Sequence, residues 1–307
     1  MTGAVRIGTR GSPLARAQTE LVCRALREAD PGLAAPGALE VVAIRTTGDR
    51  VVDRPLAELG GKGLFCKELE AALLERRIDL AVHSMKDLPT WLPAGLAIGA
   101  MLPRADPRDV LIARAGPCRI QALPKGAVVG TASLRRRAQL LARRPDLGMT
   151  NLRGNLDTRL RKLEVGEVDA TLLARAGLDR LGLEPAGAMV LEPDEMLPAV
   201  GQGAIGIECR EGDPIRGLLA AIDHAPTSMC VAAERAMLDV LDGSCHTPIA
   251  GHAVLEEGRM RLCGLILRPD GSEAHGIERA APTTDGERLG REVGQELRAR
   301  AGAGFFG

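Results

Sequence analysis

The sequence predicts an α/β fold that ends in a small α+β domain, and three observations carry the prediction. Short apolar runs alternate with amphipathic runs of helical period from Val5 to about residue 174, the pattern of a mainly parallel sheet covered by helices. Two segments, 103–109 and 193–203, break the alternation with proline, glycine and charge, and read as crossings between domains. After Pro226 the order changes to one helix, two strand-like runs and a last helix. The division expected is 1–103 with 200–220, then 104–199, then 221–307.

Composition narrows the function. The 307 residues leave room for separate cores. Forty basic and forty acidic residues cancel, so no global field draws in nucleic acid. With no tyrosine, three phenylalanines and one tryptophan, bases would find little to stack on. No apolar run approaches the roughly 18 residues that span a bilayer, and a strand starts at Val5 without room for a signal peptide before it. Seven cysteines, an odd number with no Cys-x-x-Cys pair, argue against a disulfide framework and against a zinc site. The expected home is a reducing cytoplasm, with no metal, no nucleic acid and no membrane partner.

In chain order, 5–9 reads as a strand and Ser12-Pro13 as the cap and first residue of a helix running to about 29. Arg10 and Ser12 then sit at a helix N-terminus, where an anion binds; a plain cap beside a surface arginine explains the segment equally well. A strand at 39–44 precedes a polar loop after Thr47 and the run Gly60-Gly61-Lys62-Gly63, which opens a helix over 64–77. That run lacks the spacing of a phosphate loop and reads better as a hinge or lid. The stretch 78–90 starts as a buried strand and ends with Ser84, Lys86 and Asp87 before Pro89, placing a cation and a carboxylate at a strand's C-terminal end. Taken alone, it favours a solvated turn with a surface ion pair worth little. Strands at 96–101, 127–130, 149–152 and 168–174 and helices at 133–143 and 156–163 follow.

Between Thr131 and Lys162 nine cations face two aspartates, a net of +7 in a neutral chain. Arg135 and Arg136 after Thr131-Ala132-Ser133, and Arg153 with Arg159, stand at strand-to-helix junctions. Their planar forks suit a ligand with several anionic groups. Arg137, Arg143, Arg144 and Arg161 read as solvated helix surface. Gly201-Gln202-Gly203-Ala204-Ile205-Gly206 matches a dinucleotide fingerprint in letters only, because 204–209 reads as a strand where the motif needs a helix. Cys23 and Cys230 lie in apolar helical contexts and read as packing residues. Cys66, in the first turn of a helix, is a candidate reactive thiol, as is Cys245 in the loop Asp242-Gly243-Ser244-Cys245-His246. His246 is no base for Cys245, since adjacent side chains diverge in extended chain.

Taken in order, Thr9-Arg10-Gly11-Ser12-Pro13-Leu14-Ala15, Gly60-Gly61-Lys62-Gly63-Leu64-Phe65, His83-Ser84-Met85-Lys86-Asp87, Ser133-Leu134-Arg135-Arg136, Leu152-Arg153-Gly154-Asn155, Val200-Gly201-Gln202-Gly203-Ala204 and the Cys245 loop resemble the porphobilinogen deaminase (hydroxymethylbilane synthase) family over nearly the whole chain. The resemblance implies two periplasmic-binding-protein-like doubly wound domains plus a small α+β C-terminal domain carrying the loop cysteine. It implies a monomeric transferase of tetrapyrrole (haem, porphyrin) biosynthesis, whose dipyrromethane cofactor is held by a thioether to Cys245. Four porphobilinogen units are added to that cofactor with loss of ammonia, and hydrolysis frees the linear product. Arg10, Ser12, Ser84, Lys86, Thr131, Ser133, Arg135, Arg136, Arg153 and Arg159 then bind the acetates and propionates of the rings. Asp87 serves the pyrrole N–H groups and the cation formed as ammonia leaves. Asp242 and Ser244 stand where the family often has glutamate and glycine, and Glu58 is acidic where some members are basic. The rival from another class is a non-catalytic cytosolic binding protein for a polycarboxylate, which gives Cys245 and Asp87 no role. A nicotinamide-dependent oxidoreductase, resting on Gly201 alone, comes third.

Overall fold

The computed structural model describes residues 3–50, 63–241, 247–302 and 304–305. In chain order the elements are β1 (Val5–Arg10), α1 (Pro13–Ala29), β2 (Leu39–Ile44), α2 (Thr47–Arg50), α3 (Lys67–Leu74), β3 (Leu80–Ser84), β4 (Leu96–Met101), β5 (Asp109–Ala113), β6 (Val128–Gly130), α4 (Leu134–Arg143), β7 (Gly148–Thr150), α5 (Leu156–Glu164), β8 (Ala170–Ala174), α6 (Arg175–Leu181) and β9 (Ala188–Val190). They continue with β10 (Ile205–Arg210), α7 (Ile215–Ala220), α8 (Ala225–Val240), β11 (Ile249–Glu256), β12 (Arg259–Leu267), β13 (Ala274–Pro282) and α9 (Gly286–Ala301). The described residues fall into two compact units, 3–50 with 63–105 and 204–228, and 106–203 with 229–305.

In the first unit the sheet order is β2-β1-β3-β10-β4. β1 runs parallel to β2 and β3, whereas β10 is antiparallel to β3 and β4. Residues alternate across β3: Leu80 and Val82 pack with Leu26 of α1 and Leu219 of α7, and Ala81 packs with Leu69 and Leu73 of α3. Both faces of the sheet are therefore covered by helices, as a doubly wound sheet requires.

The second unit holds two sheets. Its five-stranded sheet has the order β7-β6-β8-β5-β9, which repeats the first unit's pattern with the antiparallel strand again in fourth place. Leu172 of β8 packs with Leu140 of α4, and its neighbour Leu173 packs on the opposite face with Leu163 of α5 and Leu178 of α6. The antiparallel sheet β11-β12-β13 has a core of its own with Ala233 and Met237 of α8 and Leu289, Val293 and Leu297 of α9. The α/β reading and the small α+β segment are both realised. β13 is an addition, since only Ile277 and Ala281 of that strand are buried and its apolar signal is slight.

Helices α8 and α9 approach closely because Gly286, Gly290 and Gly294 lie on one stripe of α9. A Cβ on Gly290 would stand 2.2 Å from the carbonyl oxygen of Ala233. Gly290→Ala should therefore lower stability by about 1–3 kcal/mol in urea unfolding, despite alanine's better helix propensity. Gly217→Ala in α7, where a Cβ meets open space, should be neutral or stabilising by up to about 1 kcal/mol. Equal effects at the two positions would refute this account of the packing.

Candidate active site

In the first unit the C-terminal ends of β1 and β3 carry the functional side chains. Ser12 caps α1, its Oγ accepting the Ala15 N–H at 3.2 Å, and Pro13 takes the first helical position. Arg10, the last residue of β1, donates from Nε to Asp49 at 3.1 Å, and its guanidinium carbon lies 4.1 Å from the centre of the Phe65 ring. Burial pushes the Asp49 carboxyl up, but hydrogen bonds from Arg10 and Thr46 outweigh it and hold the group below its usual range. β3 ends at Ser84, whose hydroxyl meets Gln18 Nε2 at 2.7 Å, and a 3-10 turn over Met85–Asp87 follows. The Met85 N–H is fixed on the Ala204 carbonyl of the segment entering β10, so Lys86 and Asp87 stand exposed on a turn anchored at its root. Arg10, Gln18, Phe65, His83, Ser84 and Asp87 line a small cavity that opens to solvent.

The second unit carries the arginines. Thr131 Oγ1 accepts the Ser133 N–H, and Ser133 caps α4 by accepting the Arg136 N–H. Arg135 and Arg136 are buried and share one carboxylate, that of the fully buried Asp109. Arg135 Nη1 donates to Asp109 Oδ2 and to the Leu197 carbonyl, both at 2.7 Å. Arg136 Nη2 donates to Asp109 Oδ1 at 2.7 Å and Nη1 to the Leu172 carbonyl at 2.8 Å. Gln202 adds a third donor to Asp109 at 2.9 Å. Burial raises the Asp109 carboxyl, and the two guanidiniums more than reverse it, holding the group far below the ordinary carboxylate range. Two cations against one anion leave a buried excess of positive charge, and Nε of Arg135 is buried with no partner among the described residues. Asn155 caps α5, next to Arg153, and Arg159 Nε is held on the Gly154 carbonyl at 2.8 Å.

Several expectations change. Cys66 is not an activated thiol. It stands just before α3, 1% exposed, and burial together with a hydrogen bond to Glu70 drives its pKa well up. Arg144 is not solvated surface, because it binds Asp146 and the carbonyls of Ile120, Gln121 and Leu123. As expected, Gly201–Gly203 is followed by strand β10 and not by a helix; Gly201 and Gly203 have φ of 69° and 87°, and the Gly201 N–H is held by Glu234 at 2.7 Å. Cys23 and Cys230 are buried packing residues, as expected. Residues 60–62 and the loop 242–246, with Cys245, lie outside the described residues, as does Glu58.

Two groups were not singled out by sequence. Asp109 sits in a charged connector that looks like surface. Arg180 of α6 donates to the Gly203 carbonyl at 2.6 Å, and burial pulls its pKa down to about 10, with only the neighbouring charge of Asp179 opposing. An arginine so placed is a cation short of an anion; its position after a strand-to-helix junction was the available signal.

The family described as "Porphobilinogen deaminase, dipyromethane cofactor binding domain" matches residues 5–215, and "Porphobilinogen deaminase, C-terminal domain" matches 228–299. The chain is 56% identical over 303 residues to a porphobilinogen deaminase of Paracoccus denitrificans, covering 98% of this chain and 96% of that one. It is 50% identical over 306 residues to the chloroplastic porphobilinogen deaminase of Oryza sativa subsp. japonica, covering 98% of this chain and 85% of the other. Among solved structures, a periplasmic VFT2 domain of Bordetella pertussis BvgS aligns at 13% identity with a TM-score of 0.43, over 71% of this chain and 86% of that one.

The geometry around Asp109 makes a stability prediction. Asp109→Asn would leave two buried guanidiniums without their anion and should cost about 3–5 kcal/mol. The group's folded pKa is depressed, so its contribution is complete above the unfolded carboxylate pKa and is lost as pH falls through the folded value. The wild type should therefore lose stability in acid more steeply than the variant. Urea unfolding as a function of pH measures both, and a loss under about 1 kcal/mol at neutral pH would refute the reading.

Proposed function

The chain belongs to the porphobilinogen deaminase family, and from that membership and its own site we propose that it joins four porphobilinogen units head to tail, releasing ammonia at each addition and the linear hydroxymethylbilane at the end by hydrolysis. The observation that carries this reading is the cavity at the end of β3, where Asp87, an exposed carboxylate, stands with Arg10 and Ser84. A pyrrole bearing an acetate and a propionate needs both kinds of group, cations for its side chains and an acceptor for its ring N–H.

The residues present fit a dipyrromethane. The Nε of Arg135, buried without a partner among the described residues, the single carboxylate set against Arg135 and Arg136, and Arg180 on the Gly203 carbonyl suit a ligand that brings carboxylates. Arg10, Ser12, Ser84, Lys86, Thr131, Ser133, Arg135, Arg136, Arg153 and Arg159 would hold the group and the growing chain, with Cys245 attaching it through a thioether. When bound, it supplies the nucleophilic pyrrole carbon to which the first unit is joined. Asp87 accepts ring N–H groups and offsets the positive charge left on the substrate as ammonia departs. Ser12 and Ser133 cap their helices, so each helix N-terminus adds its dipole to the nearby arginine side chains. The separate cores of the two sheets in the second unit support a division into three domains. By the same family membership the protein is taken to be a cytoplasmic monomer.

Intact mass spectrometry of the purified protein should show an excess of two linked pyrrole units, absent from Cys245→Ser. No excess after incubation with porphobilinogen, together with no ammonia, would transfer the case to a polycarboxylate-binding protein. Asp87→Asn should keep the mass excess and lose turnover by about 10²-fold or more; near-normal ammonia release would remove Asp87 from the chemistry.

A further inference from the structure

Behind the cavity that holds Asp87 lies a group of titratable side chains for which the reading above has no use. His83, on β3, is 6% exposed and lines the cavity. Its Nε2 lies 2.9 Å from Oε2 of Glu208, which is fully buried on β10. In the register of the two strands Gly206 faces His83 and Glu208 faces Ala81, so His83 and Glu208 are a diagonal pair on one face of the sheet. Oε1 of Glu208 is buried and has no hydrogen-bond partner among the described residues. Glu70 of α3, 3% exposed, interacts with both His83 and Glu208, and it accepts the Cys66 thiol.

A sheet interior is an expensive place for two carboxyls and an imidazole. Pairing His83 with Glu208 meets the needs of one carboxylate oxygen only. Burial, with Glu208 nearby, raises the Glu70 carboxyl and favours its neutral form. The three groups sit together, and Oε1 of Glu208 is left without a hydrogen-bond partner among the described residues. The other charged or titratable groups around His83 are Cys66 and Lys67 by α3, Arg10 at the end of β1, and Lys86 and Asp87 on the turn after β3.

Deamination requires a proton carrier. As each unit is added, the C–N bond of its aminomethyl group breaks and the electron pair leaves on nitrogen. A C–C bond forms to the acceptor ring, whose α-carbon gives up its proton, and that proton must end on ammonia to leave ammonium. Asp87 has been assigned to ring N–H groups and charge, so this transfer lacks a carrier. We propose that His83 carries it: once the C–N bond has broken and the new C–C bond has formed, Nδ1, the ring nitrogen not taken by Glu208, receives the proton released from carbon and passes it to the ammonia already freed, while Glu208 and Glu70 act as positioning residues that hold the ring and offset the change in charge. This assignment rests on the deaminase reading and deepens it.

The test combines kinetics with a direct view of the ring. His83→Gln, loaded with cofactor and checked by intact mass and thermal melting, should release ammonia in a single turnover about 10²–10⁴-fold more slowly than wild type. Glu208→Gln keeps the size and removes the charge. It should move the acid limb of the wild-type pH–rate profile to lower pH by about one unit or more. Nitrogen-15 NMR of ring-labelled histidine follows the titration of His83 without turnover, and its midpoint should coincide with that limb and move with it in Glu208→Gln. If His83→Gln does not fold, the pH profiles and the NMR titration decide. Wild-type rates in His83→Gln, or an acid limb that ignores Glu208→Gln, would overturn the relay and leave the deaminase reading intact. Failure of the wild type itself to release ammonia from porphobilinogen would refute that reading instead.

Discussion

The second unit depends on one carboxylate holding two guanidiniums. Asp109 is the first residue of β5, wholly buried, and Arg135 and Arg136 reach it from the first turn of α4, with Gln202 adding a neutral donor. Burying an arginine without an anion costs several kcal/mol, and burying two beside each other costs more. A second carboxylate would balance the charge and cancel the site's attraction for anions. A single one is enough to keep the helix seated on the sheet, and it leaves a net positive charge with a donor on Arg135 unmet among the described residues. Structural need and binding capacity are thus set by the same count.

The first unit solves a smaller version of the problem at the surface. Arg10 is partly exposed, and the Phe65 ring and Asp49, itself held by Thr46, keep its guanidinium in one place. Gly48 allows this, because a Cβ there would stand 2.2 Å from the Phe65 ring. A long, flexible side chain is thereby pre-ordered, and less side-chain entropy is lost when it meets a ligand carboxylate. Asp49 competes for Arg10 with any incoming anion, which tempers affinity at a site that must also release its product.

The reading from sequence succeeded where chemistry is local. Ser12 and Ser133 announce their helices because a cap and its helix are neighbours in the chain, and the +7 stretch is visible by counting. It failed where the deciding partner is distant. Nothing near Arg135 and Arg136 in the chain announces that Asp109, 26 and 27 residues upstream, and the carbonyls of Leu197 and Leu172 also engage them. Cys66 looked activated by a helix N-terminus, but burial dominates a dipole effect, and only tertiary structure reveals burial. Glu208 passed unnoticed because its partner His83 lies 125 residues away on another strand, and only the fold shows that β10 is an inner strand.

The two five-stranded sheets share a consequence of their topology. In each, the strand that follows a crossing enters antiparallel to the neighbours it separates: β5 beside β8, and β10 beside β3. An antiparallel strand begins where its parallel neighbours end, so the crossing delivers its first residues to the C-terminal edge of the sheet, the edge where ligands bind in such folds. Asp109 opens β5 at that edge and holds the arginines there. Ala204, one residue before β10, fixes the turn that bears Lys86 and Asp87, and Glu208 follows within the strand behind His83. A chain that passes twice between its sheets therefore places buried carboxylates under both sets of functional side chains without needing any separate element to carry them.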